Sequence, residues 1–188
     1  MLAVLEDPAI RARAHAISVE SYHRMMERGA LAENLELLRG ALVEKMPKSS
    51  IHSRLVLWLL RWLMEKAPAG FTVRPEQPLT FTDSEPEPDL AVVRGSLDDY
   101  VDHQPFSAEL VIEVVVTSEA LDRLKLQLYA EAGVRECWLI LAEQRVVERH
   151  TEPEGSAYRK VERVTFPATL ESTVFPGLSL PSAGLFPG

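Results

Sequence analysis

Glu113 is the residue of this 188-residue chain whose surroundings most strongly suggest chemistry. It lies within the run 110–116, which is otherwise apolar and rich in β-branched residues. Such a run predicts a strand that is buried on both faces of a sheet. A lone buried carboxylate is unfavourable, or has a raised pKa, unless a cation compensates it. We therefore expect a cationic side chain or a metal ion beside Glu113.

Asp89 is the second candidate, because it follows Pro88 at the start of another apolar run, 90–93. Strand ends in α/β sheets are common positions for functional groups. The structural alternative is a turn aspartate that accepts a hydrogen bond from a nearby backbone N–H.

Lys125 falls on the inward stripe of a predicted helix that directly follows the strand of Glu113. Leu121, Leu124 and Leu128 define this stripe at helical spacing, and Tyr129 lies on the same side. We expect Lys125 to be a neighbour of Glu113. The alternative is a lysine that extends along the sheet to reach water.

Two acids and a lysine in one place would suit phosphoryl chemistry. Carboxylates a few ångström apart repel each other unless a divalent cation lies between them. An oxygen-only site of Asp89, Glu113, a backbone carbonyl and waters is typical of Mg²⁺ or Mn²⁺. Such an ion polarises a phosphodiester and activates water, while a nearby ammonium stabilises the developing charge. The predicted reaction is metal-assisted hydrolysis of a phosphodiester.

The elements that must position these residues follow from periodicity and from helix-capping and turn signals. Residues 1–17 are predicted to be an arm or a short helix, and residues 18–188 a single domain. The pattern predicts three helices: Val19–Arg28 capped by Ser18, a second from Ser49 or Ser50 to Lys66, and a third from a Thr117 or Ser118 cap to Ala132. It predicts a hairpin over Leu35–Met46 that turns at Arg39-Gly40, a polar loop over Arg94–Ala108 and a wrapping tail from Phe166. The predicted strands are Phe71–Arg74, Pro78–Phe81, Leu90–Val93, Glu109–Val116, Arg135–Leu141, Arg145–His150 and Tyr158–Val164. This order indicates an α/β fold.

Two further polar residues lie close to predicted core faces. His52 falls within the apolar arc of its helix, where a hydrogen-bonded core histidine is more common than a ligand or a base. Glu36 flanks an early strand, where it is either solvated or turned inward as an additional carboxylate.

The bulk composition restricts the class of protein. A formal net charge of −8 argues against a surface that binds polyanions generally, although a local basic groove remains compatible with it. The single cysteine, Cys137, excludes an internal disulfide and favours the cytoplasm. The longest apolar run, Leu55–Leu60, is too short to span a membrane, and acidic residues interrupt the N-terminus before any signal peptide develops.

Several stretches together resemble one protein family. They are Leu35–Gly40, His52, Pro88–Val93, Leu110–Val114, the spaced set Asp122, Lys125, Tyr129, Ala130, Gly133, Val134, Glu136 and Trp138, and Phe175–Leu178. The pattern resembles the PD-(D/E)xK nuclease superfamily and, within it, the Uma2 endonuclease family. The resemblance covers most of the chain from about Val19 onward, and the Lys125–Trp138 stretch is its most specific part.

The resemblance implies a restriction-endonuclease-like core, with a mixed central β-sheet flanked by α-helices. It implies that Asp89, Glu113 and the backbone carbonyl of Val114 bind the metal ion. The third superfamily position, usually lysine, is Val115 in this chain, so Lys125 is expected to supply the ammonium as a catalytic residue. Glu36, His52 and Tyr129 match recurrent positions and are expected to support the site.

Three functions remain open at this stage. The first is a Mg²⁺- or Mn²⁺-dependent endonuclease that hydrolyses DNA as a homodimer or larger oligomer, with phosphate contacts from Arg74, Arg94, Arg123 and Arg135. The second is a non-catalytic oligomeric binding or assembly protein that keeps the nuclease fold, in which Lys125 neutralises Glu113 without a metal ion. The third is a metal-dependent hydrolase for a small phosphorylated substrate.

Overall fold

The computed structural model describes residues 8–11, 13–116, 119–181 and 184–186. The chain divides into two compact units. The first unit comprises Met1–Lys45 and Thr82–Glu85, and the second comprises Met46–Phe81 and Pro86–Gly188. The assignment of residues 18–188 to a single domain stays a prediction.

The first unit contains two helices and one hairpin among its described residues. Helix α1 (Pro8–Arg11) falls within the predicted arm, and helix α2 (Val19–Glu27) is capped by Ser18, as predicted. Strands β1 (Leu35–Leu38) and β2 (Ala41–Glu44) pair in antiparallel orientation around Arg39 and Gly40. These two residues have φ values of 52° and 72°, the left-handed geometry that a two-residue hairpin turn requires. The predicted hairpin is confirmed.

A six-stranded sheet organises the second unit, with its strands in chain order. They are β3 (Phe71–Pro75), β4 (Leu90–Arg94), β5 (Leu110–Val115), β6 (Glu136–Leu141), β7 (Val146–Glu154) and β8 (Ala157–Thr165). Only β5 and β6 pair in parallel within this sheet. A parallel pair needs a crossover connection, and helix α4 (Glu119–Glu131) supplies it. Helix α3 (Ser50–Lys66) precedes the sheet, so the predicted mixed sheet flanked by helices is confirmed.

Each face of the sheet is covered by apolar residues, which explains why β5 lacks a polar alternation. Leu110, Ile112 and Val114 pack with residues of α3, whereas Val111 and Val115 pack with residues of α4. Side chains alternate between faces along a strand. Glu113 therefore points to the α4 face.

Some predicted elements differ from the structure. Pro78–Phe81 forms no strand: Leu79 and Thr80 donate their N–H groups to the carbonyls of Pro86 and Pro105, which lie in loops. Strands β7 and β8 are longer than predicted, because pairing continues to Glu154 and Ala157. The stretch 152–155 was interpreted as a turn, but the ladder accommodates Pro153 opposite Tyr158. The predicted caps Thr117 and Ser118 lie outside the described residues.

The tail after β8 contains β9 (Leu170–Glu171) and β10 (Ser179–Leu180), which pair with each other. Its apolar residues Phe175, Leu178, Leu180 and Leu185 are buried in the core that includes α3, where the sequence predicts a wrapping tail. Among the described residues, no helix is long and apolar enough to cross a membrane.

A buried carboxylate, Glu136, holds this tail against the start of β6. One of its oxygens, Oε2, accepts hydrogen bonds from the hydroxyl of Ser172 (3.1 Å), the N–H of Thr173 (2.8 Å) and the N–H of Val174 (3.0 Å). The other oxygen accepts the indole N–H of Trp138 at 2.6 Å. Glu136 thus satisfies donors from two parts of the chain.

Replacement of Glu136 by alanine should therefore destabilise the protein. It leaves several buried donors without an acceptor, and we expect a loss of about 3 kcal/mol in the free energy of unfolding. Chemical denaturation measures this loss. The control Glu154→Ala removes an exposed carboxylate at the end of β7 and should stay within about 0.5 kcal/mol of the wild type. Equal losses in the two variants would contradict a role for Glu136 as a clamp.

Candidate active site and metal centre

Asp89 and Glu113 are brought together by the antiparallel pairing of β4 and β5, in which Leu90 lies opposite Ile112. The backbone N–H of Asp89 donates to Glu113 Oε2 at 3.2 Å. In return, the N–H of Val114 donates to Asp89 Oδ2 at 2.7 Å. These reciprocal bonds hold the two carboxylates side by side at the point where β4 begins.

Helix α4 places Lys125 and Tyr129 over Glu113. The two residues are one helical turn apart, so their side chains share a face. The Tyr129 hydroxyl donates to Glu113 Oε1 at 2.5 Å, and Lys125 Nζ lies 3.6 Å from the same oxygen. Lys125 Nζ also donates to the carbonyl of Glu87 at 3.1 Å. The predicted neighbour relation is confirmed, and Lys125, with 5% of its surface exposed, does not extend into water.

His52 approaches from α3 on the other side of the pair. Its Nε2 lies 3.0 Å and 3.1 Å from the two carboxylate oxygens of Asp89. The hydrogen bond to Asp89 raises the pKa of His52, against the opposing effect of burial. In the described part of the chain, its buried Nδ1 has no hydrogen-bond partner. His52 is thus a contact of Asp89 rather than a satisfied core histidine.

Glu113 is the least compensated charge in this cluster. Loss of solvation raises its pKa from 4.5 to about 8, and the nearby Asp89 and Asp122 act in the same direction. Lys125 and the Tyr129 hydroxyl lower the pKa but do not offset burial. Burial therefore favours the protonated form of this carboxyl group more than in water, and a further cation would favour the carboxylate.

The chemistry of these donors fits a hard divalent cation. No group of three or more His, Cys, Asp or Glu residues is placed to hold a metal ion within the described ranges. The protein would thus provide two carboxylates, and Mg²⁺ is commonly bound by one or two carboxylates with several waters. A carboxylate has about four lone-pair sites, so the hydrogen bonds described above leave coordination capacity. The uncompensated burial of Glu113 is the observation that favours a cation here.

Val114 contributes its N–H to this geometry through the bond to Asp89. The expectation that its carbonyl binds the metal ion stays a prediction. Glu36 is buried on β1 of the first unit, whereas the cluster above consists of second-unit residues alone. Its supporting role also stays a prediction.

The four arginines predicted to contact phosphates lie in different environments. Arg74 is buried, with its guanidinium bonded to Gln104 and lying over the ring of Tyr100. Arg94 and Arg135 are exposed and both pair with Glu109. Arg123 is exposed as well, but it pairs with Glu119 and Glu148.

Arg123 reveals a residue that the sequence interpretation missed, Glu148 on β7. The guanidinium of Arg123 lies 3.2 Å from the buried Glu148 carboxylate. On the helix, Arg123 also pairs with Glu119. Glu148 lies in one row with Leu139 and Glu113 across β7, β6 and β5. Helix α4 is therefore fixed to the sheet by a second acid–base contact, which helps to hold Lys125 over Glu113. The position of Glu148 directly after two apolar residues at the start of β7 was the signal by which the sequence indicated its burial.

Comparisons with known proteins agree with this architecture. The sequence profile of the Uma2 family, described as "Putative restriction endonuclease", matches residues 19–183. A solved structure described as a putative nuclease belonging to DUF820 from Anabaena variabilis superposes with a TM-score of 0.76 at 18% sequence identity. The match covers 90% of this chain and 97% of that chain. A search of curated protein sequences gave no significant match.

The raised pKa of Glu113 predicts how stability depends on pH in a chelator. Between 4.5 and about 8 the folded state keeps a proton on Glu113 that the unfolded state has released. This contribution to stability is complete below 4.5 and is lost as the pH rises through about 8. Glu113→Gln, which stays neutral, should therefore have a flatter decline of unfolding free energy over this range than the wild type.

Chemical denaturation at several pH values with EDTA measures this difference. The control Glu143→Gln removes a carboxyl group from an exposed turn and should retain the wild-type slope. Parallel curves for the wild type and Glu113→Gln would contradict the proposed protonation of Glu113.

Proposed function

This chain belongs to the Uma2 family, and from that membership and the geometry above we propose that it is a divalent-metal-dependent endonuclease hydrolysing DNA phosphodiester bonds. The observation that carries the proposal is the Asp89–Glu113 pair, locked by reciprocal backbone hydrogen bonds, with an ammonium group 3.6 Å from Glu113. Two carboxylates and a lysine in this arrangement are the groups that metal-assisted phosphodiester hydrolysis requires.

Asp89 and Glu113 would hold Mg²⁺ or Mn²⁺, with the carbonyl of Val114 as a further ligand. When bound, the ion supplies Lewis-acid activation of the phosphodiester and of water. Glu113 would release its proton on binding, because the cation supplies the compensation that its buried position lacks.

Lys125 is proposed as the catalytic ammonium group. Val115, at the usual lysine position, lies on the same sheet face as Glu113, and that face is covered by α4. A lysine on α4 can therefore place its ammonium group on the face of the sheet to which a lysine at position 115 would point. The carbonyl of Glu87 fixes Lys125 Nζ, so the ammonium is oriented before substrate arrives.

His52 and Tyr129 are proposed as positioning residues. Tyr129 orients Glu113 through one oxygen, which leaves the other oxygen towards Asp89. His52 orients Asp89 from the opposite side. Each side chain would keep its carboxylate in one rotamer.

The proposed substrate, DNA, also bears on assembly and location. Two antiparallel strands need two active sites for a double-strand break, which favours a homodimer or a larger homo-oligomer. The single cysteine, Cys137, is buried as a free thiol, and we propose a cytoplasmic location on the basis of this cysteine usage.

A non-catalytic binding protein is the second candidate, and one observation favours it. Glu113 and Lys125 have 2% and 5% of their surfaces exposed, and they face each other as an ion pair. Such a pair could neutralise the site without a metal ion. A hydrolase for a small phosphorylated substrate stays a hypothesis without a specific observation in its favour.

DNA cleavage distinguishes the first two candidates. The wild type should cleave plasmid and oligonucleotide DNA with Mn²⁺ or Mg²⁺, whereas Asp89→Asn, Glu113→Gln and Lys125→Met should each lose about 100-fold or more in rate, as expected for groups that stabilise the transition state. The control Lys66→Met removes an exposed lysine from the end of α3 and should retain activity.

Folding must be checked by circular dichroism for each variant. Cleavage that persists in folded Asp89→Asn and Glu113→Gln would contradict the proposed site. A wild type inactive on every DNA form with both metals would favour the non-catalytic candidate.

A further inference from the structure

An aromatic cluster stands exposed on the loop between β4 and β5. Phe106 is 64% exposed, although a large apolar side chain of the core would be buried. The ring of His103 stacks on it, with centroids 5.3 Å apart and planes at 18°. Tyr100 contacts His103 edge-on, at an interplanar angle of 84°. The loop thus presents exposed aromatic rings to the solvent.

This surface borders a cavity of about 370 Å³. Gly133, which follows the C-terminal end of α4, lines the cavity, and so do Arg94 and Arg135. A volume of this size is within the range of small-ligand pockets, about 300–1,000 Å³. The two arginines share the single carboxylate of Glu109, so the cavity wall carries an excess of positive charge.

Arg135 also lines a second cavity, of about 700 Å³, between the β7–β8 hairpin and the tail. Arg149, Arg159 and Lys160 are its other cationic residues. Each of the four cations also pairs with a carboxylate: Arg135 with Glu109, Arg149 with Glu162, Arg159 with Glu154 and Lys160 with Glu152. In a chain with a net charge of −8, the path through Arg135 thus carries five cations and four carboxylates, a small local excess of positive charge.

We infer that this path binds a single-stranded nucleic acid, with an unpaired base stacked on Phe106 and His103 and its phosphates following Arg135 into the second cavity. Exposed aromatic rings beside a basic groove are the arrangement by which proteins bind single strands without reading sequence. A base within a duplex is stacked on its neighbours and cannot offer its face to Phe106.

The choice of a nucleic acid as the ligand rests on the proposed nuclease function. What is added to that function is an unpaired strand as the substrate. The base cavity and the metal site lie along the same helix. From Lys125 to Gly133 the chain rises about 12 Å, the length of three to four stacked nucleotides. The substrate would then be DNA that has an unpaired segment close to the cleavage position.

Binding without cleavage tests the inference directly. Fluorescence anisotropy in EDTA would compare a labelled oligothymidine, an abasic strand of equal length, a duplex and an oligouridine. The wild type should bind oligothymidine more tightly than the abasic strand or the duplex. Phe106→Ala should weaken binding to oligothymidine about tenfold and leave binding to the abasic strand unchanged, since only the stacking contact is removed.

A matched control is Val101→Ala, which shortens a residue of the same loop that is 76% exposed and lies away from the cavity lining. It should bind as the wild type does. Both substituted side chains are exposed, so the core should remain folded in each variant.

The phosphate path has its own readout. Lys160→Gln should weaken binding to oligothymidine and to the abasic strand alike, and should reduce the slope of log affinity against log salt by about 0.7. The control Lys66→Gln, away from both cavities, should keep the wild-type slope.

Each outcome decides one point. Equal binding by Phe106→Ala and Val101→Ala would overturn the stacking site, as would equal wild-type affinity for the abasic and base-bearing strands. Equal affinity for the duplex would overturn the preference for a single strand. Preference for oligouridine over oligothymidine would retain the stacking site and identify RNA as its ligand. Because the chelator excludes metal-dependent cleavage, failure of the nuclease activity alone would leave these results intact.

Discussion

The carboxylate of Glu113 is removed from water in the middle of a six-stranded sheet, and the second unit is arranged around the compensation of this burial. A charged group in such a position is stable only if donors and cations surround it. The N–H of Asp89, the hydroxyl of Tyr129 and the ammonium of Lys125 do so from two elements, yet the pKa of Glu113 remains raised to about 8. A divalent cation would supply the positive charge that these neighbours do not provide.

The topology of the sheet brings the compensating cations to this position. The parallel pair β5–β6 demands a crossover, and the crossover helix α4 delivers two cations to two buried acids in one row of the sheet. Lys125 meets Glu113, and Arg123 meets Glu148. Loss of Lys125 would leave the buried Glu113 without a cation beside it, whereas Glu148 would keep its contacts with Arg163 and His150. The Lys125–Glu113 contact is therefore the stronger constraint on the position of the helix. The site is therefore supported by contacts beyond the carboxylate pair.

Much of this could be predicted from local sequence. The β-branched runs around Glu113 and after Asp89 identified buried strands, and the stripe of α4 placed Lys125 near Glu113, because these relations depend on periods of two and 3.6 residues. The contact of His52 with Asp89 was not predicted, since α3 and β4 are far apart in sequence. The partners of Glu148 and Glu136 were not predicted for the same reason: a carboxylate within an apolar run signals burial but does not identify its partner. The predictions at Pro78 and Pro153 were wrong: the first stretch forms no strand, and the second continues one. Whether a strand can include a proline depends on which N–H groups its neighbours require.

Calorimetric titration of Mn²⁺ into the apo protein tests most directly whether Asp89 and Glu113 form one cation site. The wild type should show a single binding event per chain. This event should be absent from Asp89→Asn and from Glu113→Gln while both variants stay folded, and it should be retained in Glu143→Gln. Absence of binding in the wild type, or binding that survives both substitutions, would contradict a shared metal site and leave Glu113 and Lys125 as a structural ion pair.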